Sequence, residues 1–322
     1  MSERSDMTAI LVQVARLYYL EGLSQLQIAE RLRVSRSLIA LYLQRAREQG
    51  IVRIEIVNPQ DTVVELALEL VERTGIKHIT VVPSSFMSQS NALTAHALAS
   101  TAAHLLKTCL QDGDVLGIGW GRTMAQVTAL LPPSRFRDLV VVPLLGETTV
   151  INSFTQANQM VLQVAQAFGA QPYFLLAPLL VGTRKLRDAL MEDEVVHQAT
   201  GYWDKLDVVC YGIGVVPPTP GMIVYIGADH LPKLEERGAV GDICARYFDP
   251  RGQWIPTGLD DRMIAVTTEQ LRRARRSMGV AWGVEKAQTV HAAILTGIMT
   301  DLIIDEDLAK ALLAFMSLPT NG

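Results

Sequence analysis

The chain has little of what would mark it as a secreted, membrane or metal-binding protein. Only three cysteines, Cys109, Cys210 and Cys244, occur in 322 residues, and they are scattered. An odd, widely spaced set builds no disulfide framework and no metal-ligand spacing. The six histidines (His78, His96, His104, His197, His230 and His291) show no ligand pattern either. No apolar run approaches the ~20 residues that a membrane helix needs. The longest one, 139–145, is strand-sized and carries Pro143. The N-terminal stretch Met1-Ser-Glu-Arg-Ser-Asp6 lacks the basic-then-apolar order of a secretory leader. These absences point to a reduced, cytoplasmic chain with no membrane partner, no metal and no cofactor.

What is present is a composition that can bury a large core: 49% hydrophobic and 19% charged residues. The length suggests two domains. Net charge is −4, and it is unevenly spread. Residues 1–60 hold eight Arg, no Lys and six acidic residues, so 8 − 6 = +2. The remainder holds 21 basic and 27 acidic residues, so −6. An arginine-only, basic-leaning head on an acidic body fits a nucleic-acid module joined to something else.

The head reads as three helices and a short strand. Ile10, Val14 and Leu17 recur at helical spacing, and Gly22 ends that helix. Ser24-Gln-Leu-Gln27 is a capping box that opens a second helix running to about Leu32. Ser35 caps a third, whose stripe is Ile39, Tyr42, Leu43 and Ala46, and Gly50 stops it. Only Arg33 and Val34 separate the two, which is the helix-turn-helix arrangement. Arg33 stands where such turns often hold Gly, so it must tolerate a left-handed turn. The third helix would enter a major groove: Arg36 and Gln44 suit base edges, and Ser35, Ser37, Arg45 and Arg47 suit phosphates. Ala40 and Leu41 share its outer face. Residues 51–57 alternate like a strand or wing, and Asn58-Pro59 marks a boundary.

A connecting helix is expected over 62–74, capped by Thr62 and Glu65, with the stripe Val64, Ala67, Leu68 and Val71. It either packs on the next domain or pairs two subunits. From 76 onward, strand-like runs (78–82, 115–118, 139–145, 173–176, 208–213, 263–267, 278–281, 302–304) alternate with helical segments. That alternation predicts a doubly wound parallel α/β sheet. Residues 241–254 read instead as an inserted hairpin turning at Asp249-Pro-Arg-Gly252. The expected organisation is 1–58 helix-turn-helix, 59–75 connecting helix and 76–322 ligand-sensing domain.

The strongest site signal is Gly117-Ile-Gly-Trp-Gly-Arg-Thr123, between a strand and a helix. Glycines let the backbone approach an anion, and a helix N-terminus offers free N–H groups. Gly119, Gly121, Arg122 and Thr123 therefore make a phosphate cradle. The spacing fits neither a dinucleotide fingerprint nor a P-loop. Lys286, after another strand, could reach the same anion, because the carboxyl ends of parallel strands share one crevice. Asp242 could accept bonds from sugar hydroxyls. Gly146 and Gly214 end strands on the same side and are candidate backbone contributors.

At these residues the chain resembles the SorC family of sugar-responsive bacterial transcriptional regulators. The resemblance runs through 17–32, Gly117–Thr123, Gly238-Ala-Val-Gly-Asp242, Phe248-Asp-Pro-Arg-Gly252, Glu285-Lys286-Ala287 and Leu302-Ile-Ile-Asp305. It implies operator DNA as a partner, a homo-oligomer (tetramer or dimer), and a Rossmann-like effector domain related to sugar-phosphate isomerases that senses without catalysing. It also implies a phosphorylated sugar held by the loop 119–123 and Lys286, with Asp242 on the sugar. The competing reading is an isomerase or deaminase with an accessory head, using Asp242, Glu147 or Asp260 as base. A third is a nucleotide sensor, for which no ribose-binding acid is evident.

Overall fold

The structure is a computed structural model that describes residues 2–52, 59–84, 91–147, 156–216 and 231–317. Its contacts divide the chain into two units, Met1–Asn58 and Pro59–Gly322.

The first unit is built of α1 (Ser2–Tyr19), α2 (Gln25–Leu32) and α3 (Arg36–Glu48). Val14, Leu17, Ile28, Ala29, Ile39 and Leu43 form its core. Each fully buried Leu or Ile contributes roughly 1.5–3 kcal/mol by leaving water. On α1 the packed positions include Leu11, whereas Ile10 is 37% exposed. The strand expected over 51–57 lies, beyond Val52, outside the described residues.

The second unit opens with α4 (Pro59–Thr74). Pro59 takes the first helical position, where its missing N–H costs nothing. Thr62 therefore lies inside the first turn and not at the cap. The packed face of α4 is also not the expected stripe: Val63 and Leu70 are buried, while Val64 and Leu68 are 56% and 64% exposed. The helix carries two apolar faces, and its own domain covers one.

Among the described residues seven parallel strands follow: β1 (His78–Val82), β2 (Val115–Ile118), β3 (Val140–Pro143), β4 (Gln171–Pro172), β5 (Val208–Gly212), β9 (Arg276–Ala281) and β10 (Asp301–Asp305), in the order β1-β10-β9-β5-β2-β3-β4. Successive residues feed opposite cores. Val208 and Cys210 pack on one face of the sheet, Val209 and Tyr211 on the other. Helices α5 (Asn91–Cys109), α6 (Arg122–Ala129) and α7 (Ala157–Phe168) cover the first face; α4, α10 (Ala287–Leu295) and α11 (Glu306–Met316) cover the second. This is the doubly wound sheet. Two runs expected as strands do not join it. The chain leaves β4 at Pro172, so 173–176 is outside the sheet, and Met263 and Ala265 form isolated bridges to Leu180 and Leu145. The helix expected over 184–199 breaks at Asp193 into α8 (Arg184–Glu192) and α9 (Glu194–Thr200), Asp193 capping the second through Val195 N at 2.9 Å.

A separate antiparallel sheet is made by β6 (Gly214–Val215), β7 (Gly241–Ile243) and β8 (Arg246–Phe248). Its hairpin turns at Cys244-Ala245, not at Asp249–Gly252. Both turn residues have positive φ, 50° and 62°, the backbone twist that tight hairpins require. Asp249–Gly252 makes a second turn beyond it, held by Asp249 Oδ1 accepting from Arg251 N and Gln253 N, each at 2.8 Å.

Candidate functional sites

In the first unit the local chemistry of the turn is explicit. Ser24 Oγ accepts from Gln27 N at 3.3 Å, and Gln27 Oε1 accepts from Ser24 N at 2.9 Å. Arg33 closes α2 in the left-handed region (φ 53°, ψ 45°), and Val34 N donates to Ala29 O at 3.0 Å. Ser35 Oγ then caps α3 through Leu38 N at 3.2 Å and lies 3.0 Å from Ser37 Oγ. Arg36, Ser37, Ala40, Leu41, Gln44, Arg45 and Arg47 are all exposed. Three of them are engaged within the unit: Ser37 with Ser35, Gln44, which donates to Glu48 at 2.8 Å, and Arg47, which donates to the Tyr19 hydroxyl at 3.1 Å. Arg36 and Arg45 keep their guanidinium groups clear of the other described residues.

In the second unit, the strand order places a crevice where the sheet changes direction. From β2 the chain moves outward to β3; from β5 it moves the opposite way to β9; and β2 and β5 are neighbours. Ligands of open α/β sheets bind outside the carboxyl ends at such a switch point. The loop 119–123 leaves β2 there, and Gly214 leaves β5 there.

Several glycines are explained by close approach. Gly119 N donates to Cys210 O at 2.8 Å, and a Cβ on Gly119 would stand 2.9 Å from the Tyr211 Cβ. Gly121 caps α6 at φ 106° with open space beside it and no side-chain cap. The first N–H groups of α6 therefore stay available. Neither the Arg122 guanidinium nor the Thr123 hydroxyl is engaged by another described residue, and Arg122 is exposed.

Lys286 reaches this crevice from β9. Its Nζ donates to Ile213 O at 2.7 Å. Burial pushes its pKa below the ordinary lysine value; Glu285 and Asp242 oppose that shift, and Arg122 adds to it. Lys286 is thus close enough to Arg122 to feel its charge. Across from it, Asp242 is 4% exposed. Its Oδ2 accepts from Ala245 N at 3.1 Å, while its Oδ1 is buried with no hydrogen-bond partner among the described residues. Burial pushes the Asp242 carboxyl up to about 6, against the Ala245 N–H and the charge of Lys286. The structure therefore brings together two cations, an uncapped helix start and a buried carboxylate.

Gly214 makes room for that carboxylate. It is the cross-strand neighbour of Asp242, and a Cβ on it would stand 1.9 Å from Asp242 Oδ1. Gly214→Ala is expected to lower stability by about 1–3 kcal/mol through overpacking. Gly182→Ala, where nothing lies within 4 Å, should stay within about 0.5 kcal/mol. Urea unfolding of the two variants checks this; equal midpoints would show that the hairpin yields at no cost.

Gly146 has a different job. Its N–H donates to Ile264 O at 2.9 Å, and a Cβ would meet Ala177 O and Pro178 O at 2.7 Å. Of the other carboxylates weighed as a base, Glu147 accepts from Asn158 N at 2.7 Å. Asp260 is held by Thr257 N and Oγ1 and by Arg246. Among the described residues, no His, Cys, Asp and Glu cluster could hold a metal, and no helix is long and apolar enough to cross a membrane. The residue that sequence reasoning missed is Tyr247. It pairs with Asp242 across the hairpin, so both side chains leave the same face. Its hydroxyl is buried without a hydrogen-bond partner among the described residues, and burial together with the charge of Asp242 raises its pKa.

Comparison with known proteins adds the following. Residues 58–314 match the family model described as "Putative sugar-binding domain". The "Sorbitol operon regulator" of Klebsiella pneumoniae is 29% identical over 97% of this chain and 99% of its own length. The "Deoxyribonucleoside regulator" of Bacillus subtilis is 30% identical over 94% and 96%. The crystal structure of the full-length K. pneumoniae sorbitol operon regulator superposes with a TM-score of 0.74, covering 96% of this chain and 99% of that one.

Proposed function

Because the chain belongs to the SorC family of sugar-binding transcriptional regulators, we propose that it binds operator DNA through α3 and that a phosphorylated sugar, bound at the switch-point crevice, controls that binding. Arg36 and Gln44 are assigned to base edges; Ser35, Ser37, Arg45 and Arg47 to phosphates. Gln44 would have to leave Glu48 to read a base. The phosphate is assigned to Gly119, Gly121, Arg122, Thr123 and Lys286, and a sugar hydroxyl to Asp242.

One observation carries the effector assignment: Arg122 opens the uncapped start of α6, Lys286 Nζ reaches Ile213 O beside Gly214, and Asp242, the cross-strand neighbour of Gly214, keeps Oδ1 buried without a hydrogen-bond partner among the described residues. Two positive charges on helix N–H groups favour a dianion, and a buried acceptor without a donor favours a hydroxyl. Gly214 belongs to the site through the space it leaves for Asp242. The relatives are named as regulators, so Asp242 is read as the acceptor of a sugar hydroxyl and the crevice as a sensor.

An effector controls DNA binding only by preferring one arrangement of the subunits. A homo-oligomer supplies such arrangements, and the uncovered apolar positions Val64 and Leu68 on α4 support one. The test is thermal unfolding against a panel of phosphorylated and free sugars. One phosphorylated sugar at ~100 times its dissociation constant should stabilise the protein by about 2.7 kcal/mol. Stabilisation by free sugars or adenine nucleotides alone would overturn the ligand class.

A further inference from the structure

We propose that Ala40 and Leu41 make α3 a reader of the thymine 5-methyl group, so that each half-site carries at least one thymine recognised through that methyl. This rests on the reading of α3 as the helix that enters the groove.

At 100° per residue, Ser37, Ala40, Leu41 and Gln44 fall within an arc of about 100°. That arc lies opposite the buried stripe Ile39, Leu43 and Ala46. It is the surface that meets base edges when such a helix docks. Its polar groups are already occupied: Ser37 Oγ lies 3.0 Å from Ser35 Oγ, and Gln44 donates to Glu48 at 2.8 Å. What the arc offers unspent is apolar. Leu41 is 39% exposed, and Ala40 beside it is exposed too.

Of the four base pairs, only those with thymine present an apolar group in the major groove, the 5-methyl. Pressing Leu41 on that methyl removes hydrocarbon from water on both sides. Pressing it on guanine or cytosine would strip water from O6, N7 or the amino group and return no hydrogen bond. The contact therefore rewards thymine and penalises the alternatives, the two halves of a specific interface. The small Ala40 lets the helix approach closely enough for Leu41 to reach.

The full-length protein is used to enrich duplexes from a random pool, and each thymine of the enriched half-site is then replaced by uracil, which removes the methyl and nothing else. Binding is measured by anisotropy at one fixed salt concentration. At one or more positions, uracil should weaken wild-type binding about fourfold, the fold-change of one methyl group leaving water. In Leu41→Ala and Leu41→Gln, uracil at that position should cost nothing further, while the salt dependence stays as in the wild type. Helical circular dichroism confirms that these surface variants are folded. Enrichment with every uracil duplex binding like its thymine parent overturns the proposal, as does a uracil loss that persists unchanged in both Leu41 variants. Failure to enrich any duplex would instead overturn the reading of α3 as a DNA-binding helix, and the thymine contact with it.

Discussion

Lys286→Met should abolish the effector response while leaving DNA binding and fold intact. The substitution keeps most of the aliphatic stem, which carries the packing of a buried lysine, and removes only the ammonium. In the free protein that ammonium is held at a cost, because burial pushes its pKa down. Its loss frees the Ile213 carbonyl, at about 1 kcal/mol for one hydrogen bond. It also spares the protein a desolvated charge, so the two effects oppose and unfolding should move little. With a phosphorylated sugar present the balance changes. A charge-assisted bond to a phosphate contributes about 2–3 kcal/mol, so affinity should fall roughly 30- to 150-fold. Titration calorimetry against the sugar phosphate found in the thermal panel reads this directly. Wild-type affinity in the variant would remove Lys286 from the phosphate site. A variant that no longer binds DNA would show that Lys286 holds the fold instead.

The residues that were legible in the sequence are those whose chemistry is local. The helix-turn-helix could be read because Ser24, Gln27 and Ser35 satisfy backbone groups within three residues of themselves, and because Ile39, Leu43 and Ala46 repeat with the helix. Even the left-handed Arg33 was foreseeable, since two residues between helices leave no other path. The strand-to-helix turn over 117–123 was legible for the same reason. The adjacency of β2 and β5 was not: a parallel pair joined across ninety-odd residues leaves no local mark, and it is that adjacency which makes the loop a crevice. The Cys244-Ala245 turn was hidden because it uses positive φ without Gly or Asn. Placing the turn at Asp249–Gly252 separated Tyr247 from Asp242, and so the cross-strand pair was lost. The face of α4 was misread because both of its stripes are apolar, and periodicity cannot say which one a domain covers. Segments 173–176 and 263–267 are apolar and buried in part, as strands would be, yet 173–176 joins no ladder and 263–267 makes only isolated bridges.

Asp242→Asn should make the free protein more stable at neutral pH while weakening effector binding. The sign follows from the direction of the shift. Burial pushes the folded-state carboxyl up to about 6, above the ordinary aspartate value of 3.8. The native state therefore binds the proton more tightly than the unfolded chain, and stability falls as pH rises from 3.8 through 6. Above 6 the penalty is constant, about 3 kcal/mol by order of magnitude. Below 3.8 both states are protonated and it vanishes. Asn carries no charge to desolvate, so its advantage should be largest at pH 7 and gone near pH 4. Part of it is offset by the amide N–H2 group, which meets the same confined space that leaves Asp242 Oδ1 unpartnered. Chemical denaturation at pH 4, 5, 6 and 7 maps the difference. A variant less stable than the wild type across that range would mean that Lys286 and the Ala245 N–H outweigh burial, and the carboxylate would then be a structural anchor. The expected result is the opposite: a charge kept in place at a cost, because a sugar hydroxyl bonds a carboxylate more strongly than an amide. Effector affinity in the same variant should accordingly drop while its unfolding midpoint rises, the trade between stability and function that a buried binding group imposes.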